Sequence, residues 1–220
     1  SHAIRGNEDL KAETSDSFNA FLTFQKNPRY RTTLGAFYNR FENLIAIGAD
    51  PQNASINTYL NIDKHKTTGV TLTQTLKGQH WSLNLGLSQI GRYNQFSKGK
   101  DFLWSTEVNT TVQYKIPRWG TGFNLFLKYT GKLPRYLAVT EDGKTVGRPT
   151  ELAAYTLGDL SIQQALGKYL SLTLGAKNIF DVKDILNSNA DSGTAHSAGS
   201  SVPMAYGRSY FLGLQAQIFK

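Results

Sequence analysis

The sequence has no cysteine, which excludes disulfide bridges and thiolate metal sites. It also has no run near the roughly eighteen consecutive apolar residues that a membrane-spanning helix needs. The longest apolar candidate is LIAIGA, residues 44–49. The chain likewise lacks a Gly-x-Ser-x-Gly elbow, a His-Glu-x-x-His pair and a phosphate-binding glycine loop, so no common catalytic motif indicates an enzyme.

Concentrated charge is also missing. The net charge is +8, but the basic residues are spread among turns, loops and alternate positions of apolar segments. A nucleic-acid-binding protein would gather them in one run or stripe, so we expect no nucleic-acid partner. The four histidines are scattered, and we expect no metal, resident cofactor or catalytic residue.

What the chain does contain is a regular alternation of apolar and polar residues. In HWSLNLGLSQ (80–89), Trp81, Leu83, Leu85 and Leu87 are each separated by one small or polar residue. Because strand side chains switch faces at every residue, this segment predicts a strand with one apolar and one polar face.

Nine segments carry this pattern, and they match the length and alternation of transmembrane strands, which need about 9–11 residues. The sequence therefore predicts an all-β fold, a transmembrane antiparallel β-barrel. The predicted strands are Thr14–Gln25, Tyr30–Ile47, Asn57–Leu76, Trp81–Ile90, a fifth that follows the loop ending at about Phe102 and runs to Ile116, Phe123–Thr130, Ala154–Leu166, Tyr169–Phe180 and Arg208–Phe219.

The connections between the predicted strands alternate in length. They are short after the first, third, fifth and seventh strands, and the longer ones are residues 48–55, 91–102, 131–153 and 191–207. Outer-membrane barrels place short turns in the periplasm and long loops outside the cell. With the last residue in the periplasm, the segment before the first strand is expected to be extracellular.

Nine strands cannot close a bacterial single-chain barrel, which has an even number of strands. An open sheet in lipid also leaves unpaired backbone groups at its edges, each costing several kcal/mol. We therefore expect residues 1–220 to be the C-terminal part of a larger barrel. No secretion signal opens the chain, although an exported protein needs one, so we expect the true N-terminus to lie upstream.

Four segments resemble motifs of the TonB-dependent outer-membrane receptors. RGNEDLKAETSDSF (5–18) resembles the family's Gly-Asn-Pro-x-Leu-x-x-Glu stretch, and YLNIDKHKTTGVTLTQTL (59–76) resembles a later Asn-Ile-x-Lys strand. LGAKNIFDVKD (174–184) is similar to its Asn-Leu-Phe-Asp signature, and GRSYFLGLQAQIF (207–219) to its final strand. Two positions depart from the pattern: Glu8 stands in place of the usual proline, and Lys220 in place of the terminal aromatic residue.

The resemblance implies a 22-stranded barrel with an N-terminal plug, of which this chain forms the last nine strands. It implies location in the bacterial outer membrane and import of a scarce, bulky nutrient such as a ferric siderophore, haem or cobalamin. The implied partners are the missing strands and plug, the TonB complex, membrane lipid or lipopolysaccharide, and a surface lipoprotein. Two alternatives stay open: a barrel-embedded hydrolase or protease, and a soluble all-β adhesin or glycan-binding module.

Candidate cargo-binding residues lie in the predicted extracellular segments. His2 precedes the NEDL stretch, where the resemblance implies a haem-ligating histidine, although a loop histidine is usually only solvated. His196 lies in a glycine- and serine-rich loop with Met204 and Tyr206 close behind, a composition that suits a closing loop and a solvent loop equally.

Aromatic and basic residues mark two further loops. Tyr93 belongs to an aromatic cluster that would suit a flat ligand, whereas Phe102 and Trp104 fit the interfacial aromatic girdle better. Arg135 and Tyr136 would suit an anionic ligand, and lipid headgroups equally. We interpret His65 and His80 as structural.

Overall fold

The computed structural model describes residues 4–50, 53–94, 101–141, 144–188, 201–203 and 206–217. Almost all of this backbone is β-strand, and the one helical element within these segments is the 3-10 turn Pro117–Trp119. No helix in them is long and apolar enough to cross a membrane. The strands are β1 (Ile4–Arg5), β2 (Thr14–Asn27), β3 (Tyr30–Asp50), β4 (Asn53–Lys77), β5 (Trp81–Asn94), β6 (Leu103–Ile116), β7 (Thr121–Thr130), β8 (Leu133–Glu141), β9 (Lys144–Leu152), β10 (Tyr155–Ala165), β11 (Leu170–Lys177), β12 (Asp184–Ser188), β13 (Ser201–Pro203) and β14 (Ser209–Ala216).

Nine strands form one antiparallel meander in the order β14-β11-β10-β7-β6-β5-β4-β3-β2. The short strand β1 adds to it by pairing in parallel with β4, at residues 57–58. These nine strands are the nine that the alternation predicts, so the all-β, antiparallel prediction is confirmed. The sheet has β2 at one edge and β14 at the other.

All four predicted long loops contain strand residues: β5 continues to Asn94 within residues 91–102, β13 lies within residues 191–207, and the other two loops are mostly strand. Residues 48–55 belong mostly to the ends of β3 and β4, which stay paired as far as Asp50 opposite Asn53. Residues 131–153 contain the β8–β9 hairpin, which joins β12 and β13 in a small sheet of order β13-β12-β9-β8. The eighth strand is also shorter than predicted, because β11 ends at Lys177 and Phe180 lies in a turn.

One face of the large sheet is mainly apolar, with a few polar pairs such as Thr32 and Gln74 among the apolar side chains. Strand register sets a row of five apolar residues side by side on five neighbouring strands: Leu22, Leu34, Leu72, Leu87 and Val108. These side chains are not in a protein core, because Leu22 is 72% exposed and Leu34 is 51% exposed. Among the described residues, Ile185 is the one large hydrophobic side chain that is buried. The protein therefore presents an apolar surface instead of enclosing it.

The opposite face is polar, and its side chains pair across the strands. The Asn39 amide donates to Thr67 Oγ1 at 2.9 Å, linking β3 to β4. Further along the sheet, Thr75 Oγ1 donates to Asn84 Oδ1 at 2.9 Å, and Ser82 Oγ donates to Gln113 Oε1 at 3.1 Å. The polar face is therefore cross-linked between neighbouring strands by side-chain hydrogen bonds.

Phenylalanine rings on the polar face lie over glycines of the adjacent strand. Three such pairs are directly opposite in register: Phe21 with Gly35, Phe37 with Gly69, and Phe211 with Gly175. At Gly69 a Cβ atom would come within 2.7 Å of the Phe37 ring and 2.6 Å of the Gln89 carbonyl oxygen. The glycines are therefore required by close approach, and each ring takes the space that its partner's side chain would occupy.

Candidate functional site

The polar face carries a charged cluster near the end where the long connections lie. Arg92 on β5 donates through Nη1 to Ser105 Oγ at 2.8 Å, and its Nη2 lies 3.9 Å from Glu107 Oε1 on β6. Ser105 is buried, whereas Arg92 and Glu107 keep about a third and a quarter of their side-chain surface exposed. Arg92 is thus oriented by two partners and keeps part of its side chain exposed.

An aromatic pair adjoins this cluster on the same face. The rings of Phe41 and His65 are 5.7 Å apart between centroids and tilted by 52°. Register sets Phe41 opposite His65 on adjacent strands, and Thr67, on the same face as His65, lies opposite Arg92. His65 thus packs against a neighbouring ring, in agreement with its structural interpretation.

The segment that contains NEDL is fastened to the β3–β4 hairpin. Asn61 makes three contacts there: its Oδ1 accepts from Lys11 N at 2.8 Å, and its Nδ2 donates to the carbonyl oxygens of Lys11 at 3.0 Å and Asn43 at 2.7 Å. Thr58 Oγ1 donates to the Arg5 carbonyl at 3.0 Å. Asn61 therefore anchors this segment. It is the asparagine of the Asn-Ile-x-Lys motif noted in the sequence, but its contacts could not be predicted, because its partner Lys11 is 50 residues away along the chain.

The NIFD motif forms a second anchored element, which we call the clasp (Asn178–Asp181 with Arg208). Asp159 Oδ1 on β10 accepts the N–H of Asn178 at 2.9 Å, and the Asn178 amide bonds both the N–H and the carbonyl of Val182. Asp181 Oδ1 accepts the N–H of Arg208 at 2.7 Å, while Arg208 Nη2 donates to the Ile179 carbonyl at 2.6 Å. The clasp therefore fixes the entry to β14 against the ends of β10 and β11.

The clasp contains two residues with positive φ angles and a carboxyl group with a lowered pKa. Asn178 and Asp181 have positive φ angles of 51° and 57°, a region that asparagine and aspartate tolerate better than most residues. The bond from the Arg208 N–H, with a smaller contribution from Lys183, holds the pKa of the Asp181 carboxyl below its ordinary value of 3.8. Asp181 lies outside the strands of the large sheet and remains ionised when it binds Arg208.

The aromatic cluster of Tyr93, Phe102 and Trp104 lies on the apolar face. Tyr93 contacts Phe102 with ring centroids 6.0 Å apart, and Phe102 contacts Trp104 at 6.2 Å. Lys66 Nζ lies 5.5 Å from the centroid of the Tyr93 ring. Tyr93 thus shares the face of Trp104, which favours the girdle over a ligand for this ring, and its assignment to cargo stays a prediction.

The other predicted site residues are not brought into one cluster within the described segments. Arg135 and Tyr136 lie on β8 opposite Thr150 and Pro149, where the structure describes the backbone alone. Tyr206 is fully exposed just before Gly207 and the clasp. His2, His196 and Met204 lie outside the described residues.

Two clefts open on the polar face at the opposite end, beside the short turns. The larger, of about 350 Å³, is lined by Lys115, Gly122, Gln163 and Ser171 among others. A neighbouring cleft of about 260 Å³ shares Lys115 and adds Lys77. Within the described segments no group of three or more His, Cys, Asp or Glu side chains is placed to hold a metal ion.

Family comparison adds to this geometry. Residues 1–179 match the family described as TonB-dependent receptor-like, β-barrel, and this match covers most of the 220 residues. The chain belongs to the TonB-dependent receptor β-barrel family. The motifs noted in the sequence have a place in its structure, since the NEDL segment is the one anchored by Asn61 and the NIFD motif forms the clasp.

Relatives of this TonB-dependent receptor chain include the ferric enterobactin receptor of Pseudomonas aeruginosa, which is 27% identical over 236 residues, 97% of this chain. The chain spans only 30% of that receptor's length.

Among solved structures, a mutant of the same receptor has a TM-score of 0.64 at 23% identity, covering 97% of this chain and 32% of the other. The FrpB iron transporter of Neisseria meningitidis gives 0.63 at 14% identity, with coverages of 98% and 32%. The copper transporter OprC gives 0.67 at 15% identity, with coverages of 96% and 33%. At these identities the likeness is one of fold, and each of these proteins is a receptor or transporter by name.

Proposed function

We propose that this chain forms nine adjacent strands in the wall of an outer-membrane TonB-dependent transporter. The observation that carries the proposal is the two-faced sheet, apolar and exposed on one side and polar and cross-bonded on the other. In this arrangement lipid covers the apolar face, and the polar face lines the interior. The edges at β2 and β14 pair with strands from the rest of the same protein, whose plug couples to TonB.

The proposed cargo is an anionic ferric chelate. Its support comes from relatives named for ferric enterobactin and iron, and from the charge of the polar face. By strand register, the polar face carries more cationic than anionic side chains, so it attracts an anion. The cations are Arg31, Lys77, Arg92, Lys115, Lys128 and Lys177, and the acids are Glu107 and Asp159.

Within this proposal Arg92 makes direct contact with the cargo, because it is held by Ser105 and remains partly exposed. The long connections, with His2, Arg135, Tyr136, His196, Met204 and Tyr206, supply the outer part of the binding surface. Haem and cobalamin are the competing cargoes. No bond in the cargo is made or broken: it binds outside, the plug rearranges under TonB pull, and the cargo is released inside.

The test has a genetic and a binding part. Deletion of the intact gene should abolish growth on one ferric chelate as the sole iron source, and unimpaired growth on every iron and corrinoid source would turn attention to a glycan or peptide cargo. In the purified intact protein, Arg92→Gln should weaken binding of a ferric tris-catecholate about 10- to 100-fold, the value of a hydrogen bond to a charged group.

Lys66→Gln is the matched control, because Lys66 lies on the apolar face beside Tyr93 and should leave cargo affinity unchanged. Equal losses in the two variants would contradict a cargo site on the polar face.

A further inference from the structure

Each of the four short turns contains a basic residue followed directly by an aromatic residue. The turns join β2 to β3, β4 to β5, β6 to β7 and β10 to β11. All four therefore lie side by side at the same end of the strands. The aromatic side chains are exposed there, with Trp119 at 65%, Tyr169 at 64% and Trp81 at 45%. The pairs are Arg29 with Tyr30, His80 with Trp81, Arg118 with Trp119, and Lys168 with Tyr169. We call them the short-turn row.

Backbone hydrogen bonds hold the turns of this row in line. Lys77 N donates to the Arg29 carbonyl at 2.9 Å, and Lys115 N donates to the His80 carbonyl at 2.7 Å. Ala165 N, at the end of β10, donates to the Gly120 carbonyl of the β6–β7 turn at 2.9 Å. Successive turns are two strands apart, so the basic residues repeat at about 10 Å along the edge. The row is therefore a fixed array and not a set of independent loops.

The row contains no carboxylate. Its four turns lie within stretches that lack Asp and Glu altogether, residues 17–41, 64–100, 108–140 and 160–180, and all 16 acidic residues of the chain lie elsewhere. Arg29, Arg118 and Lys168 therefore have no acidic partner within the hairpins that they close. A row of cations without acids attracts an external anion.

The row also lies where the apolar face ends. Strand register gives Tyr30 the face of Leu34, and Trp81 the face of Leu83. The Tyr30 ring contacts Phe24 edge to face, with centroids 6.2 Å apart. Tyrosine and tryptophan favour the boundary between hydrocarbon and headgroups, and nearby lysine and arginine are attracted to anionic lipid. The ligand chemistry that fits both features is a phosphate attached to an acyl chain.

We propose that the short-turn row binds the phosphate groups of anionic phospholipids in the adjoining leaflet. The guanidinium groups of Arg29 and Arg118 and the ammonium group of Lys168 bind the phosphate oxygens, while the aromatic rings contact the glycerol and upper acyl region. A zwitterionic lipid binds less well, because its own cation offsets the attraction. The proposal rests on the outer-membrane placement above.

Native mass spectrometry of the intact protein in non-ionic detergent tests the row, with phosphatidylglycerol and phosphatidylcholine as probes. The triple variant R29Q/R118Q/K168Q should bind phosphatidylglycerol on the order of 100-fold more weakly, about fivefold for each charge removed. The matched control K64Q/K66Q/K132Q removes three lysines from the other end of the sheet and should bind like the wild type. Circular dichroism and heat-dependent gel migration should be the same for all three proteins.

Three results would overturn the proposal. The triple variant could bind phosphatidylglycerol as tightly as the wild type does, or the wild type could bind phosphatidylcholine as tightly as phosphatidylglycerol. Inorganic phosphate at the same concentration as the lipid could also displace the bound phosphatidylglycerol. Ferric-chelate binding in the same preparations separates this inference from the transport function. The triple variant should retain it. A wild type that binds no chelate but shows the lipid difference would reject the cargo and keep the lipid site.

Discussion

Replacement of Leu125 by arginine tests directly whether the apolar face meets lipid. Leu125 lies on β7 between Val112 and Leu160 on the adjacent strands. Its neighbour Asn124 points to the polar face, where its amide donates to Ser161 Oγ at 3.4 Å. Leu125 and Asn124 thus offer the same depth in the sheet and opposite surroundings.

The expected magnitude follows from this depth. Leu125 is four residues beyond Thr121, the first residue of β7, and at about 3.4 Å per residue and a tilt of about 40° it lies roughly 10 Å into a band about 25 Å tall. Arginine near the middle of the band costs about 2–4 kcal/mol, or roughly 30- to 1000-fold in the folding equilibrium. Asn124→Arg should cost about 1 kcal/mol or less, because it loses one long hydrogen bond and gains access to water.

Leu125→Phe separates a lipid-facing residue from one packed in a protein core. Lipid chains rearrange around a larger apolar side chain, whereas a close-packed core loses about 1–3 kcal/mol when it is overfilled. We therefore expect Leu125→Phe to unfold like the wild type.

The assay is urea unfolding of the intact protein in lipid vesicles, followed by tryptophan fluorescence and by heat-dependent gel migration. An Asn124→Arg variant as unstable as Leu125→Arg, or a Leu125→Phe variant destabilised by more than about 1 kcal/mol, would refute the two-faced assignment.

Four further changes should have defined outcomes. Gly69→Ala should lower the unfolding free energy by about 1–3 kcal/mol, because the new Cβ meets the Phe37 ring and the Gln89 carbonyl oxygen. The control Gly213→Ala should be nearly neutral, because the nearest atom to its new Cβ is Thr173 Cβ at 3.7 Å. Equal unfolding curves for the two variants would contradict this reasoning. The pKa of the Asp181 carboxyl is held below its ordinary value of 3.8, so the clasp is intact above pH 3.8 and is lost as the pH falls through the lower pKa of the folded state. The Arg208 amide should therefore lose protection from hydrogen exchange in acid, after correction for its intrinsic exchange rate. Asp181→Asn should remove this pH dependence, and an identical profile in the variant would assign the acid response to another group.

The alternation was sufficient to predict the large sheet because each strand has one apolar and one polar face. The register confirms this partition at two rows of β5: Leu83 lies between Leu76 and Val112, and Leu87 lies between Leu72 and Val108. On the other face, Asn84 lies between Thr75 and Thr111. Alternation depends on the local geometry of one strand, so the apolar and polar faces can be predicted without knowing which strands pair.

The long connections were harder to predict, because strand pairing there does not require a buried face. Residues 131–153 lack a clear apolar–polar alternation and therefore suggest a loop, yet 133–141 and 144–152 pair with each other through the backbone, which does not require that alternation. The anchoring role of Asn61 was likewise invisible, since its partners Lys11 and Asn43 are distant in sequence.

The clasp could be predicted in part from the sequence. Its residues were recognised as a motif, but the pairing of Asp181 with the Arg208 N–H joins positions 27 residues apart and depends on the path of the intervening chain. The motif was therefore predictable as a landmark, and its contacts were not.

The phenylalanine–glycine pairs constrain how this wall can vary during evolution. Because Phe37 covers Gly69, and Phe211 covers Gly175, neither member of a pair is free to change alone: a larger residue replacing the glycine meets the ring, and a smaller residue replacing the ring uncovers the backbone. Substitutions at these positions should therefore occur together among related proteins, even though the partners in the first pair are 32 residues apart and those in the second are 36 apart. Such linked changes would reveal the strand register from sequences alone, without a structure.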